Sequence, residues 1–194
     1  MKKMVFFSIL LSLSLVFSSI GLAQESEAKT LEAVEFLTGL GWGKVRVKGN
    51  YQQYPLMLDL DFNLKPLIQK LNLSYAPLLQ FQLEPYIAAI AEPEANVETG
   101  SSFFFKIGIL PQTSKFQPYI KFGTGISYMS LHTREQATQY NFISSGGIGM
   151  HYYFKKNMAF TIEGRYRHLS NLSIEHPNSG INTAFGLVGI SYEF

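Results

Sequence analysis

Apolar and polar residues alternate with a period of two along most of the chain. In the clearest stretch, residues 56–64, leucine or phenylalanine occupies every second position, and Met57, Asp59 and Asp61 stand between them. Successive side chains of a β-strand point to opposite faces, so this pattern predicts strands with one apolar face. Similar segments surround residues 80–87, 103–109, 120–128, 142–154, 158–171 and 183–194, and a less regular, glycine-rich one spans Val34–Lys44.

The count of eight segments predicts an all-β fold, an eight-stranded antiparallel transmembrane β-barrel of the outer membrane. Such barrels have an even number of strands in which lipid-facing and lumen-facing residues alternate. Pro85 interrupts the third segment, and we expect a β-bulge there. The chain ends on Phe194, which shares a face with Ile190 and Tyr192. This ending resembles the C-terminal signal that outer-membrane assembly machinery recognises.

The inward faces of the predicted strands contain many charged residues. Eight strands enclose an interior that side chains fill. We therefore expect a buried ionic network instead of a pore. Its expected members are Asp59, Asp61, Glu84, Lys106, Lys121, Glu163, Arg165 and Arg167.

Connection lengths indicate which end of the barrel faces outward, since short turns face the periplasm and longer loops face out. The connections at 111–116 and 155–157 are short, and we place them in the periplasm. We expect longer outer loops near residues 45–54, 92–99, 131–141 and 172–182. The connection 65–77 falls on the periplasmic side although it is long, and extra strand or helical turns are the expectation there.

The N-terminus has the three parts of a secretory signal peptide. Lys2 and Lys3 precede an apolar stretch at 5–20, and Gly21-Leu22-Ala23 is a small-x-small cleavage site. We predict a signal peptide at 1–23 and a mature barrel at 24–194. The alternative is an uncleaved membrane anchor.

Composition narrows the classes of function. The chain has no cysteine, so disulfides and thiolate metal sites are excluded. Charged residues make up 15% of the chain, below the roughly 25% of soluble domains. The net charge of +2 gives no reason to expect a nucleic-acid partner. These values suit a barrel in lipid better than a soluble protein.

The apolar face of the seventh segment ends in two polar residues, His168 and Ser170. Counting back in twos from Phe194 places Asn182 on the same outer face of the neighbouring strand. An imidazole can take the proton of a serine hydroxyl that attacks an ester, provided that a third group orients it. Asn171 adds an amide donor for an oxyanion. The alternative is that polar residues simply end a membrane strand. A lipid can reach this face, and outer-leaflet lipid contains ester-linked acyl chains.

The segment Arg165-Tyr166-Arg167-His168-Leu169-Ser170-Asn171, followed by Pro177–Asn182 and the last strand, resembles the PagL family of lipid A 3-O-deacylases. The resemblance is sharpest over residues 160–194 and covers the rest of the barrel in outline. It implies that His168 is the base, Ser170 the nucleophile and Asn171 the oxyanion support.

One position departs from the family pattern. The acidic triad member of the family falls at Asn182, and an amide can orient the histidine but has no negative charge. Glu175 in the adjacent loop is an alternative partner for His168, whereas Glu163 faces inward. Of the other histidines, we expect His151 to be packed in the lumen. The outer-loop residues His132 and His176 lack the spacing of metal ligands.

The sequence therefore predicts an outer-membrane carboxylic ester hydrolase that acts on lipid A, at the 3-O position according to the resemblance. Its expected partner is lipopolysaccharide in the outer leaflet, with a homodimer left open, and no cofactor or metal is expected. The alternatives are a non-enzymatic structural, adhesion or lipid-binding barrel, and an acyl transferase. Basic residues near the outer rim could contact lipid phosphates or simply be solvated: Lys44, Arg46, Lys48 and Arg134.

Overall fold

The computed structural model describes residues 31–45, 48–70 and 77–194. The predicted signal peptide at 1–23 lies outside these residues, as does Arg46. The described chain forms a closed antiparallel barrel in sequence order, with the first strand paired to the last. The strands are β1 (Leu31–Val45), β2 (Gly49–Asn63), β3 (Pro77–Glu92), β4 (Asn96–Pro111), β5 (Phe116–Met129), β6 (Tyr140–Lys155), β7 (Met158–Ser170) and β8 (Ile181–Glu193). The predicted eight-stranded all-β architecture is confirmed.

Side-chain exposure follows the alternation in the sequence. In β2, Leu56 is 63% exposed on the outside, while Met57 is 5% exposed on the inside. Aromatic rings extend across neighbouring strands on the outer surface, for example Phe81 against Phe103 and Phe105. This outer apolar surface needs a hydrocarbon environment, because water would otherwise cover it.

The interior contains the predicted ion pairs, together with a cluster of buried apolar and aromatic side chains that includes Tyr51, Tyr86 and Phe185. Both terminal nitrogens of Arg165 bind the carboxylate of Glu84, at 2.5 and 2.6 Å. Lys106 Nζ lies 2.9 Å from Asp61 Oδ2. The buried charged side chains of the barrel wall include two that the sequence prediction omitted, Glu35 and Glu98. Among the described residues, the ionic network inside the barrel includes Glu35, Asp59, Asp61, Glu84, Glu98, Lys106, Lys121, Glu163, Arg165 and Arg167.

Two long loops are joined above one end of the barrel, which we assign as the outer end because long loops face outward. Residues 130–139 connect β5 to β6, and residues 171–180 connect β7 to β8. Gln136 and Asn178 form a β-bridge between these loops, and the Ser179 amide donates to the Glu135 carbonyl at 2.8 Å. The end of β7 and the start of β8 are therefore held by contacts from both loops.

Two of the expected outer loops are shorter than the sequence pattern predicts, because their strands are longer. β1 ends at Val45 and β2 begins at Gly49, and β3 ends at Glu92 and β4 begins at Asn96. The strands extend past the apolar alternation into polar segments, which the sequence pattern does not mark as strand. On the periplasmic side, the long connection begins with the short helix α1 (Lys65–Lys70). Within the described ranges, no helix has the length and hydropathy to cross a membrane.

The expected bulge at Pro85 is absent. In β3, the register against β2 is the same on both sides of the proline, with Tyr86 opposite Met57 and Leu83 opposite Leu60. Pairing with β4 is continuous through Pro85, which lies opposite Ser101. A proline lacks an N–H, but this barrel accommodates it without an inserted residue.

Candidate active site at the outer end of β7 and β8

His168 and Asn182 face each other on the outer surface of the β7–β8 pair. The strand register aligns the two residues directly. His168 Nδ1 donates to Asn182 Oδ1 at 2.7 Å. An amide oxygen only accepts hydrogen bonds, so this contact keeps the hydrogen on Nδ1 and leaves a lone pair on Nε2. A neutral imidazole with this tautomer can act as a general base at Nε2.

Gly180 gives the imidazole its space. Its φ angle is +76°, a left-handed conformation that glycine adopts without strain. A β-carbon at this position would lie 3.0 Å from Nε2 and 3.2 Å from Nδ1 of His168, and closer still to the carbon between them. The sequence prediction missed this role, although a glycine just before a strand is a signal of an unusual backbone angle.

Ser170 is the last residue of β7 and lies on the same face as His168. Residues two apart on a strand are separated by about 6.8 Å at their α-carbons, so the two side chains are neighbours. Both are half-buried. Among the described residues, the Ser170 hydroxyl makes no hydrogen bond, so the contact to His168 Nε2 is not formed here. Catalytic hydrogen bonds often tighten only in the complex with substrate.

Asn171 organises the loop that follows Ser170. It is 1% exposed, and its Nδ2 donates to the Glu175 carbonyl at 2.8 Å. Its backbone amide donates to Asn178 Oδ1, also at 2.8 Å. Glu175 contributes its backbone carbonyl to this loop, and its side chain is exposed. The contact to His168 Nδ1 thus comes from Asn182 in β8.

An apolar groove lies beside His168 on the lipid-facing surface. Its volume is about 680 Å³, and its lining includes small residues of β5 and β6, among them Thr124, Ser144 and Gly146. Its aromatic lining residues are Phe103, Phe105, Phe122 and Tyr166. Where the lining residues are small, a hydrocarbon chain can approach the strand backbones.

Aromatic residues show the depth of the site in the membrane. Tyr166 on β7 pairs with Ala184 on β8, which in turn pairs with Trp42 on β1. Tyrosine and tryptophan are enriched where the hydrocarbon meets the headgroups. His168 and Asn182 lie two residues further along their strands, toward the outer end of the barrel. Their position therefore corresponds to the depth of the lipid headgroups.

The remaining candidates lie apart from this pair. His151 is buried inside the barrel with Nδ1 2.8 Å from Thr161 Oγ1, which confirms that it is a packed lumen residue. Glu163 is also buried inside, as the strand alternation predicted. His132 and His176 are exposed in the two outer loops.

Comparisons with known proteins agree with this architecture. The family model described as lipid A 3-O-deacylase (PagL) matches residues 34–191. The crystal structure of the outer membrane enzyme PagL is similar with a TM-score of 0.59 and 18% identity, over 81% of this chain and 97% of that chain. Neisserial surface protein A is similar with a TM-score of 0.59 and 10% identity, over 84% of this chain and 96% of that chain.

At these identities, the two solved structures establish similarity of fold alone. A comparison with curated protein sequences gave no match. The family match extends over most of the chain and includes both strands of the His168–Asn182 pair. The chain is therefore an integral β-barrel of the outer membrane and belongs to the PagL family of lipid A deacylases.

Proposed function

We propose that the chain hydrolyses an ester-linked acyl chain of lipid A, at the 3-O position, in the outer leaflet. The main support is one contact, the 2.7 Å hydrogen bond between His168 Nδ1 and Asn182 Oδ1 at the outer end of the lipid-facing surface. It leaves Nε2 available as a base on the face that a lipid ester can reach. Ser170 lies beside it on the same face.

In the first step, Ser170 Oγ attacks the ester carbonyl carbon while His168 Nε2 takes the hydroxyl proton. The tetrahedral intermediate collapses, and the sugar oxygen leaves with the proton from His168. In the second step, water attacks the acyl-serine, again with His168 as base. The products are a free fatty acid and lipid A with a free hydroxyl, and Ser170 is restored.

Asn182 acts as the positioning residue for His168. It holds the tautomer that leaves Nε2 unprotonated, which an acidic residue would also do. It does not supply the negative charge that stabilises an imidazolium in Ser-His-Asp sites. We therefore expect slower turnover than a carboxylate at this position would allow.

Asn171 is the proposed support for the oxyanion. An amide nitrogen has two hydrogens, and one of them is used on the Glu175 carbonyl. The other can be offered to the negative oxygen of the tetrahedral intermediate as the loop adjusts to the substrate. Asn178 holds the Asn171 backbone and is the second amide of the same loop.

The groove beside His168 is suited to the acyl chain of the ester. It is apolar, opens on the lipid side, and has His168 among its lining residues. A chain lying over Gly146 and Thr124 would leave the hydrocarbon layer only at its ester group. This arrangement explains how a membrane lipid could present its ester to Ser170 without leaving the membrane.

Mass spectrometry of lipid A tests the proposal. Lipid A from cells that express the chain should lose one acyl chain, and Ser170→Ala or His168→Ala should abolish the loss. Heat-modifiable gel mobility checks that each variant still folds, and His132→Ala is the matched histidine control. Full deacylation by either site variant would exclude this mechanism. Unchanged lipid A with the folded wild-type protein would instead favour a non-enzymatic barrel.

A further inference from the structure

Lys44 lies at the same height on the outer surface of the barrel as His168 and Asn182, and we call these three register-aligned residues the outer row. Gly43 on β1 pairs with Thr183 on β8, so the next position, Lys44, comes alongside Asn182. Asn182 in turn pairs with His168. All three side chains reach the outer surface. Lys44 is thus two strand spacings, about 10 Å, from His168 at the same depth.

The charge of Lys44 has no counterion within the described part of the chain. Its ammonium takes part in none of the ion pairs or hydrogen bonds there, and the side chain is exposed. The nearby outer lysine, Lys48, differs because it forms an ion pair with Glu94. Arg134 is exposed in the loop between β5 and β6, outside the row. Of the three basic residues described at this end of the barrel, Lys44 is therefore the one that the strand register aligns with His168 and Asn182.

We propose that Lys44 binds a phosphate group of lipid A and thereby orients the sugar so that its ester reaches Ser170. This inference rests on the proposed function and adds an anionic subsite to it. Lysine binds phosphate as a point charge, and charge-assisted hydrogen bonds are roughly twice as strong as neutral ones. Trp42, two residues before Lys44, marks the depth at which lipid headgroups begin.

The subsite makes a geometric demand on the substrate. A phosphate at Lys44 and an ester carbonyl at Ser170 are separated along the barrel circumference, so the sugar must lie across β8. The acyl chain then descends on the β6 side of Tyr166, into the groove over Gly146. Lys44 is a positioning residue and contacts no reacting atom.

The test compares Lys44→Gln, Lys44→Arg and Lys48→Gln on two micellar substrates, phosphorylated lipid A and the same lipid A without phosphates. On the phosphorylated substrate, Lys44→Gln should raise KM about tenfold, as expected for a lost charged hydrogen bond, with a smaller change in kcat. Lys44→Arg should restore most of the loss, and Lys48→Gln should match the wild type. On the phosphate-free substrate, wild type and Lys44→Gln should be equal.

Equal losses on both substrates would mean a structural role for Lys44 and would overturn the proposal, as would no loss on either. A third outcome would identify free phosphate as the ligand and overturn the lipid assignment. In that outcome the wild type deacylates both substrates at equal rates. Inorganic phosphate, at matched ionic strength, then inhibits the wild type but not Lys44→Gln. If the wild type deacylates neither substrate, the proposed function fails. Binding of the two micelles to Ser170→Ala, with and without Lys44→Gln, then still tests the subsite.

Discussion

The ring of His168 lies against the bare α-carbon of Gly180, and this contact fixes where the imidazole can be. A β-carbon there would come within 3.0 Å of Nε2. The ring would have to move away, and its 2.7 Å hydrogen bond to Asn182 would be lost or lengthened. The loop residue before β8 therefore controls the position of the proposed base on β7.

Gly180→Ala should lower deacylation at least tenfold while the barrel stays folded. The added methyl displaces the imidazole, and an alanine at φ +76° also costs about 1–2 kcal/mol. Gly49→Ala is the matched control, because Gly49 has φ +86° but nothing within 4 Å of an added β-carbon. Rates on the same micellar lipid A separate the two effects. Equal activity in both variants would show that the contact with the ring is unimportant.

Asn182→Ala should reduce turnover by about 10²-fold, since general-base catalysis contributes about 10²–10⁴-fold and an unoriented imidazole loses part of it. Asn182→Glu should retain or raise turnover, because a carboxylate orients the ring and also stabilises the imidazolium. Glu175→Ala serves as the comparison, with little change expected. Full activity of Asn182→Ala together with loss in Glu175→Ala would transfer the orienting role to the loop.

Asn171→Asp should lower kcat by about 10²–10³-fold, the usual cost of removing an oxyanion donor. The substitution keeps the size of the side chain and removes its amide hydrogens. Asn178→Asp retains the oxygen that accepts from the Asn171 backbone, so it should keep the loop in place. Pre-steady-state acyl release measures both variants. A large loss in Asn178→Asp with normal turnover in Asn171→Asp would assign the oxyanion role to Asn178.

Glu84→Gln should destabilise the barrel by about 3 kcal/mol, because it leaves Arg165 with less compensation in a buried network. Glu94→Gln breaks an exposed ion pair with Lys48 and should cost at most about 1 kcal/mol. Urea unfolding in lipid vesicles measures both. The folded fraction of Glu84→Gln should deacylate at the wild-type rate, since the network lies inside the barrel and the proposed site outside. Equal stability of the two variants would contradict this view of the interior.

The alignment of His168 with Asn182 follows from the sequence, because strands have a period of two and the count can begin at Phe194. Most of the interior network follows from the same period, but Glu35 and Glu98 were missed. The alignment and the network both depend on regular strand geometry, and the alternation of apolar and polar residues in one sequence is enough to predict that geometry.

Features outside the regular strands did not follow. The space that Gly180 leaves for His168 depends on a loop backbone angle, and no hydrophobic pattern encodes it. The predicted lengths of two outer loops were wrong because β1, β2, β3 and β4 continue as polar strands beyond the membrane. The prediction of a bulge at Pro85 was wrong. A barrel can lack a hydrogen bond at one position and still keep its strand register.

The interior ion pairs also bear on how the chain reaches its membrane. Before insertion, the unfolded chain must cross an aqueous compartment with its lipid-facing phenylalanines and leucines unprotected. The charged residues that alternate with them, such as Lys106 between Phe105 and Ile107, are then hydrated and oppose aggregation. After closure they neutralise one another inside. The same charged side chains therefore keep the unfolded chain soluble before insertion and pack the interior of the barrel afterwards.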